Sequence, residues 1–171
     1  MKKLLLLIVL AASFGSFSCQ EDNEPASSER LTIEEMSSMP GYIWVKDRMA
    51  TYQPDSVTIE KLRSLPKDGY KVYAFVAGDC DCGSNRKYFS ELAKVISLID
   101  LPDTSAEYYA MPNKRSKHPY TSILNISSLP AFYVVKNGTP VYSVMDTVNL
   151  VLDKKLSYPS KIEECLYEAM K

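Results

Sequence analysis

The sequence predicts an α/β fold, and three observations in the second half of the chain support that prediction. Residues 70–77 form a β-rich run, and the apolar residues that follow have the spacing of an amphipathic helix: Phe89, Leu92, Val95, Ile96 and Ile99. Two further β-rich runs, 131–135 and 140–145, are joined by Asn137-Gly138, which favours a two-residue hairpin turn. This order of elements is typical of a mixed sheet flanked by helices.

Weaker signals complete the order of elements. Residues 107–111 are a strand candidate, and residues 120–126 are a weak helix candidate. A capping box at Ser160-Lys161-Ile162-Glu163 predicts a terminal helix. Upstream, Thr32-Ile33-Glu34-Glu35 is a second capping box, and Asp55 is positioned to cap another helix. From residue 70 onward the predicted order is therefore βαβαββα.

The first 18 residues have the pattern of an export signal. Lys2 and Lys3 precede the apolar run 4–12, which is too short to span a bilayer. The signal ends at Ser18-Cys19 and resembles a bacterial lipoprotein signal, in which the cysteine receives lipid after cleavage. The acidic and polar stretch that follows, Gln20-Glu21-Asp22-Asn23-Glu24, resembles the surface-export signals of Bacteroidota lipoproteins. The resemblance implies a lipid anchor on Cys19 and a location in the cell envelope, at the outer membrane, on its periplasmic or its surface face.

Charge and length limit the partners and the number of domains. The chain has 20 basic and 21 acidic residues; loss of Lys2 and Lys3 with the signal leaves 18 against 21, a net charge of −3. This balance favours neither nucleic acid nor an anionic lipid surface as a partner. We expect residues 1–18 to be the signal peptide, 19–30 a lipidated flexible tether, 31–54 an N-terminal extension and 55–171 a single domain.

Two cysteines one residue apart lie between the predicted strand and its helix, in Asp79-Cys80-Asp81-Cys82. A helix N-terminus offers unpaired N–H groups and partial positive charge, which favour a thiolate over a thiol. Asp79 and Asp81 oppose this effect, because a nearby negative charge raises the pKa of a thiol. Cys80 and Cys82 are therefore the candidate catalytic residues. Cys165 shares the apolar face of the terminal helix, where we expect a buried thiol.

A second motif and the order of elements resemble the thioredoxin-like family. Leu129-Pro130-Ala131-Phe132, followed by Asn137-Gly138, matches the family's Val/Thr-Pro-Thr-Phe-x-x-x-x-x-Gly pattern. The resemblance covers about residues 55–171 and implies a thioredoxin-like sheet with a cis-proline at Pro130. It also implies that Leu129 and Pro130 bind substrate, and that the chain exchanges thiols with exported proteins without an organic cofactor. The chain departs from the family's Trp-Cys-x-x-Cys motif, because Asp79 precedes Cys80 and position 83 is glycine.

This departure leaves two placements of the cysteines open. If Cys80 takes the nucleophile's place, Cys82 is a displaced resolving thiol; if Cys82 does, no resolving cysteine follows it. We take Cys80 as the attacking thiolate and Cys82 as the resolving one.

Two other interpretations use the same cysteine motif. Its two sulfurs suit Cu(I) or Zn, with Asp79, Asp81 or His118, the only histidine, as harder donors. His118 lies in a basic polar stretch, where a solvated surface position is the simpler interpretation. The other alternative is a thioredoxin-like binding domain whose cysteines form a static disulfide or stay unreactive.

Overall fold

The computed structural model describes residues 26–78 and 83–171. Within these residues the sheet has five strands in the order β1-β3-β2-β4-β5. The strands are β1 (Glu29–Leu31), β2 (Tyr70–Val76), β3 (Ala106–Ala110), β4 (Ala131–Lys136) and β5 (Thr139–Ser143). β3 runs parallel to β2, and the other neighbouring pairs are antiparallel. The fold is therefore α/β, with a mixed sheet flanked by helices and β2 as its middle strand.

Six α-helices occur in the described part of the chain, and local sequence signals fix several of their ends. They are α1 (Ile33–Ser38), α2 (Trp44–Thr51), α3 (Ser56–Ser64), α4 (Gly83–Ile96), α5 (Val144–Lys154) and α6 (Ile162–Met170). The predicted capping box of Thr32 and Glu35 is confirmed, as is the cap of α3, where Asp55 accepts a hydrogen bond from the Thr58 N–H at 2.8 Å. None of the helices in residues 26–78 and 83–171 is long and apolar enough to cross a membrane.

One face of the sheet is covered by helices, and we call it the helix-covered face. Each of the six described helices contributes buried residues to one cluster with alternate residues of β2. Its largest fully buried members include Met36, Leu62, Phe89, Leu92, Ile162 and Leu166. Trp44 and Val45 of α2 belong to the same cluster, so the N-terminal extension shares the core of the domain.

The opposite face is covered by the connection between β3 and β4, and we call it the loop-covered face. Tyr73 and Phe75 of β2 pack there against side chains of the connection, namely Met111, Leu124 and Ile126. The ring of Tyr120 stacks on that of Tyr73, with centroids 4.0 Å apart. A long irregular connection therefore covers this side of the sheet.

The weak helix predicted at residues 120–126 is wrong. The Ile123 and Leu124 N–H groups both donate to the Tyr120 carbonyl, which makes a single turn. Beyond that turn, Leu124 and Ile126 are both buried in the loop-covered face. A spacing of two residues is that of extended chain, so burial of both side chains is incompatible with a continued helix.

The hairpin also ends earlier than predicted. The β-rich run 140–145 suggested a strand through residue 145, but β5 ends at Ser143 and α5 begins at Val144. The buried residues of α5 include Val144, Val148 and Val151, which lie at helical spacing. Their β-branched side chains favour strands, and for this reason the composition of the segment conceals its helix.

Two predicted boundaries shift as well. The flexible tether was expected to run to residue 30, but Glu29–Leu31 pair with β3. At the start of α6 it is Glu164, not Glu163, that accepts hydrogen bonds from the Ser160 and Lys161 N–H groups, at 2.7 and 3.1 Å. Glu163 is fully buried instead.

Candidate active site

The cysteine motif occupies the chain between the middle strand of the sheet and the longest described helix. β2 ends at Val76 and α4 begins at Gly83, so the predicted strand and helix on either side of the motif are confirmed. The four motif residues Asp79, Cys80, Asp81 and Cys82 lie outside the described residues, and so does Cys19. The motif's described neighbours are Ala77 and Gly78 on one side and the first turn of α4 on the other.

The predicted substrate-binding residues, Leu129 and Pro130, come directly before β4. β4 is antiparallel to β2 with Ala131 opposite Phe75, and continuing this register by one residue brings Pro130 opposite Val76. The Leu129–Pro130 peptide bond is cis, as the family resemblance implies for this position. Pro130 is buried and Leu129 is half-buried. Both residues therefore lie at the end of the sheet from which the chain leaves β2 toward the cysteines.

The residue before the motif, Gly78, lies against the aromatic ring of Tyr42. A Cβ atom on Gly78 would lie 2.5 Å from the Tyr42 Cε2 atom, so a larger residue requires the ring to move. The Tyr42 hydroxyl donates to the Val76 carbonyl at 3.0 Å, and the Met111 N–H donates to the same carbonyl at 2.9 Å. The end of β2 is thus fixed both by the N-terminal extension and by the chain that leaves β3.

Two basic residues lie near the start of α4. Arg86 ends the first turn and Lys87 follows it. The Arg86 Cζ atom lies 6.0 Å from the centroid of the Trp44 ring. Cations near a helix N-terminus are unfavourable to the helix itself, because they face the positive end of its dipole. In general a cation lowers the pKa of a thiol that lies close to it, whereas a carboxylate raises it.

Two grooves open beside Gly78, and Pro40 and Gly41 line both of them. The first has a volume of about 600 Å³, and its lining includes Met39, Tyr42, Ala77, Gly78, Ala110 and Met111. The second has a volume of about 540 Å³, and its lining includes Ile43, Trp44, Asp47, Gly78 and Arg86. Both volumes fall in the range of about 300–1,000 Å³ that is usual for ligand sites. The N-terminal extension thus forms walls next to the residue that leads into the motif.

The third cysteine of the domain, Cys165, is buried as expected. It has no solvent exposure on α6, and burial raises the pKa of its thiol to about 12. The group is therefore protonated at neutral pH and unsuited to attack a disulfide. The prediction of a buried core thiol is confirmed.

The interpretation of His118 as a solvated surface residue is wrong. Its ring is half-buried, with its centroid 5.0 Å from that of Phe75 on the loop-covered face. Its Nδ1 atom is buried and makes no hydrogen bond with any described residue, and burial lowers the pKa of the imidazole. Among residues 26–78 and 83–171 there is no group of three or more metal-binding side chains.

Sequence reasoning missed two residues that border the motif, Tyr42 and Asn85. Tyr42 reaches Val76 across 34 positions, and the local sequence carries no signal for such a contact. Asn85 is buried in an amphipathic helix. A helical projection of residues 83–96 places it on the apolar face, and that position is the sequence signal that would have predicted its burial.

Comparison of the chain with family models, with curated proteins and with solved structures found no match.

Proposed function

We propose that this chain is a thioredoxin-like thiol–disulfide exchange protein, anchored to a bacterial outer membrane by lipid on Cys19, that acts on other exported proteins. The observation that carries the proposal is that the cysteine motif joins the end of the middle strand to the start of α4, with Pro130 at the corresponding end of the neighbouring strand. The strand order β1-β3-β2-β4-β5, with β2 and β3 parallel, supports the family resemblance.

The proposed reaction exchanges one disulfide bond in two steps. The Cys80 thiolate attacks one sulfur of a substrate disulfide, so that a Cys80–substrate bond forms and the substrate bond breaks. The released substrate thiolate takes up a proton. The Cys82 thiolate then attacks the Cys80 sulfur, which releases the second substrate thiol and joins Cys80 to Cys82. Two electrons pass to the substrate, and in reverse the same steps oxidise a substrate dithiol.

The flanking residues support each step. The N-terminal backbone N–H groups of α4 and the charge of Arg86 would stabilise negative charge on a sulfur that lies close to them. On the other side, Leu129 and Pro130 directly precede the start of β4, where the family resemblance implies that the substrate chain pairs. The grooves beside Gly78 leave room for side chains of a polypeptide substrate.

Trapping of the mixed disulfide tests this proposal. The reduced protein is mixed with a peptide disulfide, and covalent adducts are mapped by mass spectrometry. Cys82→Ser should accumulate an adduct on Cys80 because the resolving step is lost, whereas Cys80→Ser should form none. Cys165→Ala is the matched control and should behave as the wild type, since its thiol is buried and protonated.

Two results would contradict parts of the proposal. An adduct on Cys82 in the Cys80→Ser variant would contradict the assignment of Cys80 as the attacking thiolate, because Cys82 would then take that role. No adduct in any variant, together with stoichiometric anaerobic binding of Cu(I) that either serine substitution abolishes, would make metal carriage the better account.

A further inference from the structure

Asn85 is a buried polar residue at the start of α4. Its side chain has no solvent exposure, and its Nδ2 atom donates a hydrogen bond to the Ala77 carbonyl at 3.3 Å. Residues 77 and 85 stand on either side of the cysteine motif in the chain. One side-chain hydrogen bond therefore connects the segment that leaves β2 to the first turn of the helix.

The two polar atoms of the Asn85 amide differ in their partners. The Oδ1 atom is buried and makes no hydrogen bond with any residue that the structure describes. The Nδ2 atom donates to the Ala77 carbonyl. An apolar side chain of similar volume could fill the same space in α4 but could not make this hydrogen bond.

The segment that Asn85 binds is anchored directly before Ala77. The Val76 carbonyl accepts hydrogen bonds from the Tyr42 hydroxyl and the Met111 N–H, at 3.0 and 2.9 Å. Gly78, directly after Ala77, lies close to the Tyr42 ring, where an added Cβ atom would clash. Because Ala77 follows an anchored residue, its hydrogen bond to Asn85 connects the start of α4 to the fixed end of β2.

We propose that Asn85 is a positioning residue for the thiols of this chain: by binding the Ala77 carbonyl, it sets where α4 begins relative to β2 and thereby how reactive the cysteines between them are. The inference rests on the proposed function in that it takes the cysteine pair to be the reactive group. The physical reason is that the effect of a helix N-terminus on a thiol falls off within the first turn, so a small displacement changes it.

The test is the pH dependence of alkylation by iodoacetamide, a neutral reagent that needs no protein partner. Fully reduced wild type, Asn85→Leu and Asn85→Ala are compared, and labelling of each cysteine is followed by peptide mass spectrometry. Leucine preserves the volume and alanine removes it, so a common effect of the two variants reports on the lost amide. Ser90→Ala is the matched control, because Ser90 is also buried in α4 with a hydroxyl that makes no hydrogen bond with the described residues.

We expect both Asn85 variants to move the pH midpoint of alkylation upward by about one unit and to slow alkylation at pH 7 by up to about tenfold. Ser90→Ala should keep the midpoint of the wild type, although its thermal stability changes. Midpoints that stay within about 0.2 unit of the wild type in both Asn85 variants would overturn the inference, and so would a reduced wild type whose motif thiols do not titrate.

The same data separate this inference from the proposed function. A midpoint that moves in the Asn85 variants, in a protein that traps no disulfide substrate, supports the positioning role and contradicts the exchange function. If the protein traps substrate but the alkylation midpoint is unchanged in the Asn85 variants, the exchange function is supported and the positioning role of Asn85 is contradicted.

Discussion

Different kinds of structure cover the two faces of the sheet. On each face, a buried glutamate holds a covering segment by accepting hydrogen bonds from it. On the helix-covered face Glu163 of α6 has no exposure, and its carboxylate accepts hydrogen bonds from the Tyr52 hydroxyl at 2.6 Å and the Asp55 N–H at 3.0 Å. Tyr52 and Asp55 belong to the connection between α2 and α3. The terminal helix therefore holds the N-terminal extension by a carboxylate that is wholly inside the protein.

On the loop-covered face the corresponding residue is Glu107 of β3, with 6% exposure. It accepts hydrogen bonds from the Tyr109 and Tyr120 hydroxyls, at 2.7 and 2.5 Å. Arg30 of β1 and Lys71 of β2 also place a nitrogen 3.7 and 3.8 Å from its Oε1 atom. Through Tyr120 this carboxylate holds the connection between β3 and β4, and its two cations extend to solvent.

The comparison explains how the two sides of the proposed site are held. The extension that Glu163 holds carries Tyr42, which contacts Gly78 at the start of the cysteine motif. The connection that Glu107 holds ends at Leu129 and Pro130. Each side of the site thus depends on a buried carboxylate far from it in sequence. Among the described residues, Glu163 accepts hydrogen bonds from two neutral donors, whereas Glu107 has two partly exposed cations beside it in addition to its two hydroxyl donors.

The largest expected effect comes from removing these carboxylates. Glu163→Ala leaves the Tyr52 hydroxyl and the Asp55 N–H without their acceptor, and should lower the free energy of unfolding by about 2–4 kcal/mol. Glu107→Ala should lower it by about 1–2 kcal/mol, because Arg30 and Lys71 regain water when their partner is lost. Urea denaturation measures both changes, and Glu60→Ala, at a side chain that is 68% exposed, should change stability by less than about 0.5 kcal/mol.

Hydrogen exchange locates the two effects. Glu163→Ala should lose protection mainly in residues 33–55, and Glu107→Ala mainly in residues 112–130. If both variants lost protection over the same residues, the two glutamates would not hold separate segments and the comparison would fail.

Changes in pH should have a smaller effect on the free energy of unfolding, with opposite signs for Glu91 of α4 and for His118 on the loop-covered face. Burial raises the pKa of Glu91 on α4, with Lys87 opposing the shift and Glu163 adding to it, so folding favours its protonated form. Glu91 therefore contributes to the free energy of unfolding below its unfolded pKa of about 4.5, and this contribution is lost as the pH rises through the folded pKa. Burial lowers the pKa of His118. His118 therefore contributes to the free energy of unfolding above about pH 6.5, and this contribution is lost as the pH falls through the folded pKa.

The variants that remove these groups should therefore respond to pH in opposite directions. Relative to the wild type, Glu91→Gln should be more stable at pH 7, and this advantage should shrink on acidification. His118→Gln should lose less stability than the wild type between pH 7 and pH 5. Urea midpoints across this range measure both, and parallel pH profiles for the wild type and either variant would show that the group does not contribute.

The parts of the fold that the sequence predicts are those with local causes. The β-rich run of β2, the helical spacing of α4 and the Asn137-Gly138 turn each act within a few residues, and all three are present. β1 is only three residues long, and two of its residues are charged, so its pairing with β3 has no local signal. The contact of Tyr52 with Glu163 spans 111 positions, and the sequence could not indicate it for the same reason.

The candidate site divides in the same way. The strand, the helix and the position of Pro130 follow from local motifs, and the structure has them as expected. Tyr42 and Asn85 were missed, because their roles depend on which distant backbone groups they meet, the carbonyls of Val76 and Ala77.

The most direct test of the central claim is a redox titration of the wild-type protein. The protein is equilibrated in glutathione buffers of graded potential, free thiols are blocked, and the fraction of the Cys80–Cys82 disulfide is measured by peptide mass spectrometry. The account predicts one reversible two-electron transition in which Cys80 and Cys82 change together while Cys165 remains a thiol. A pair that stays wholly oxidised or wholly reduced across the series would contradict the account.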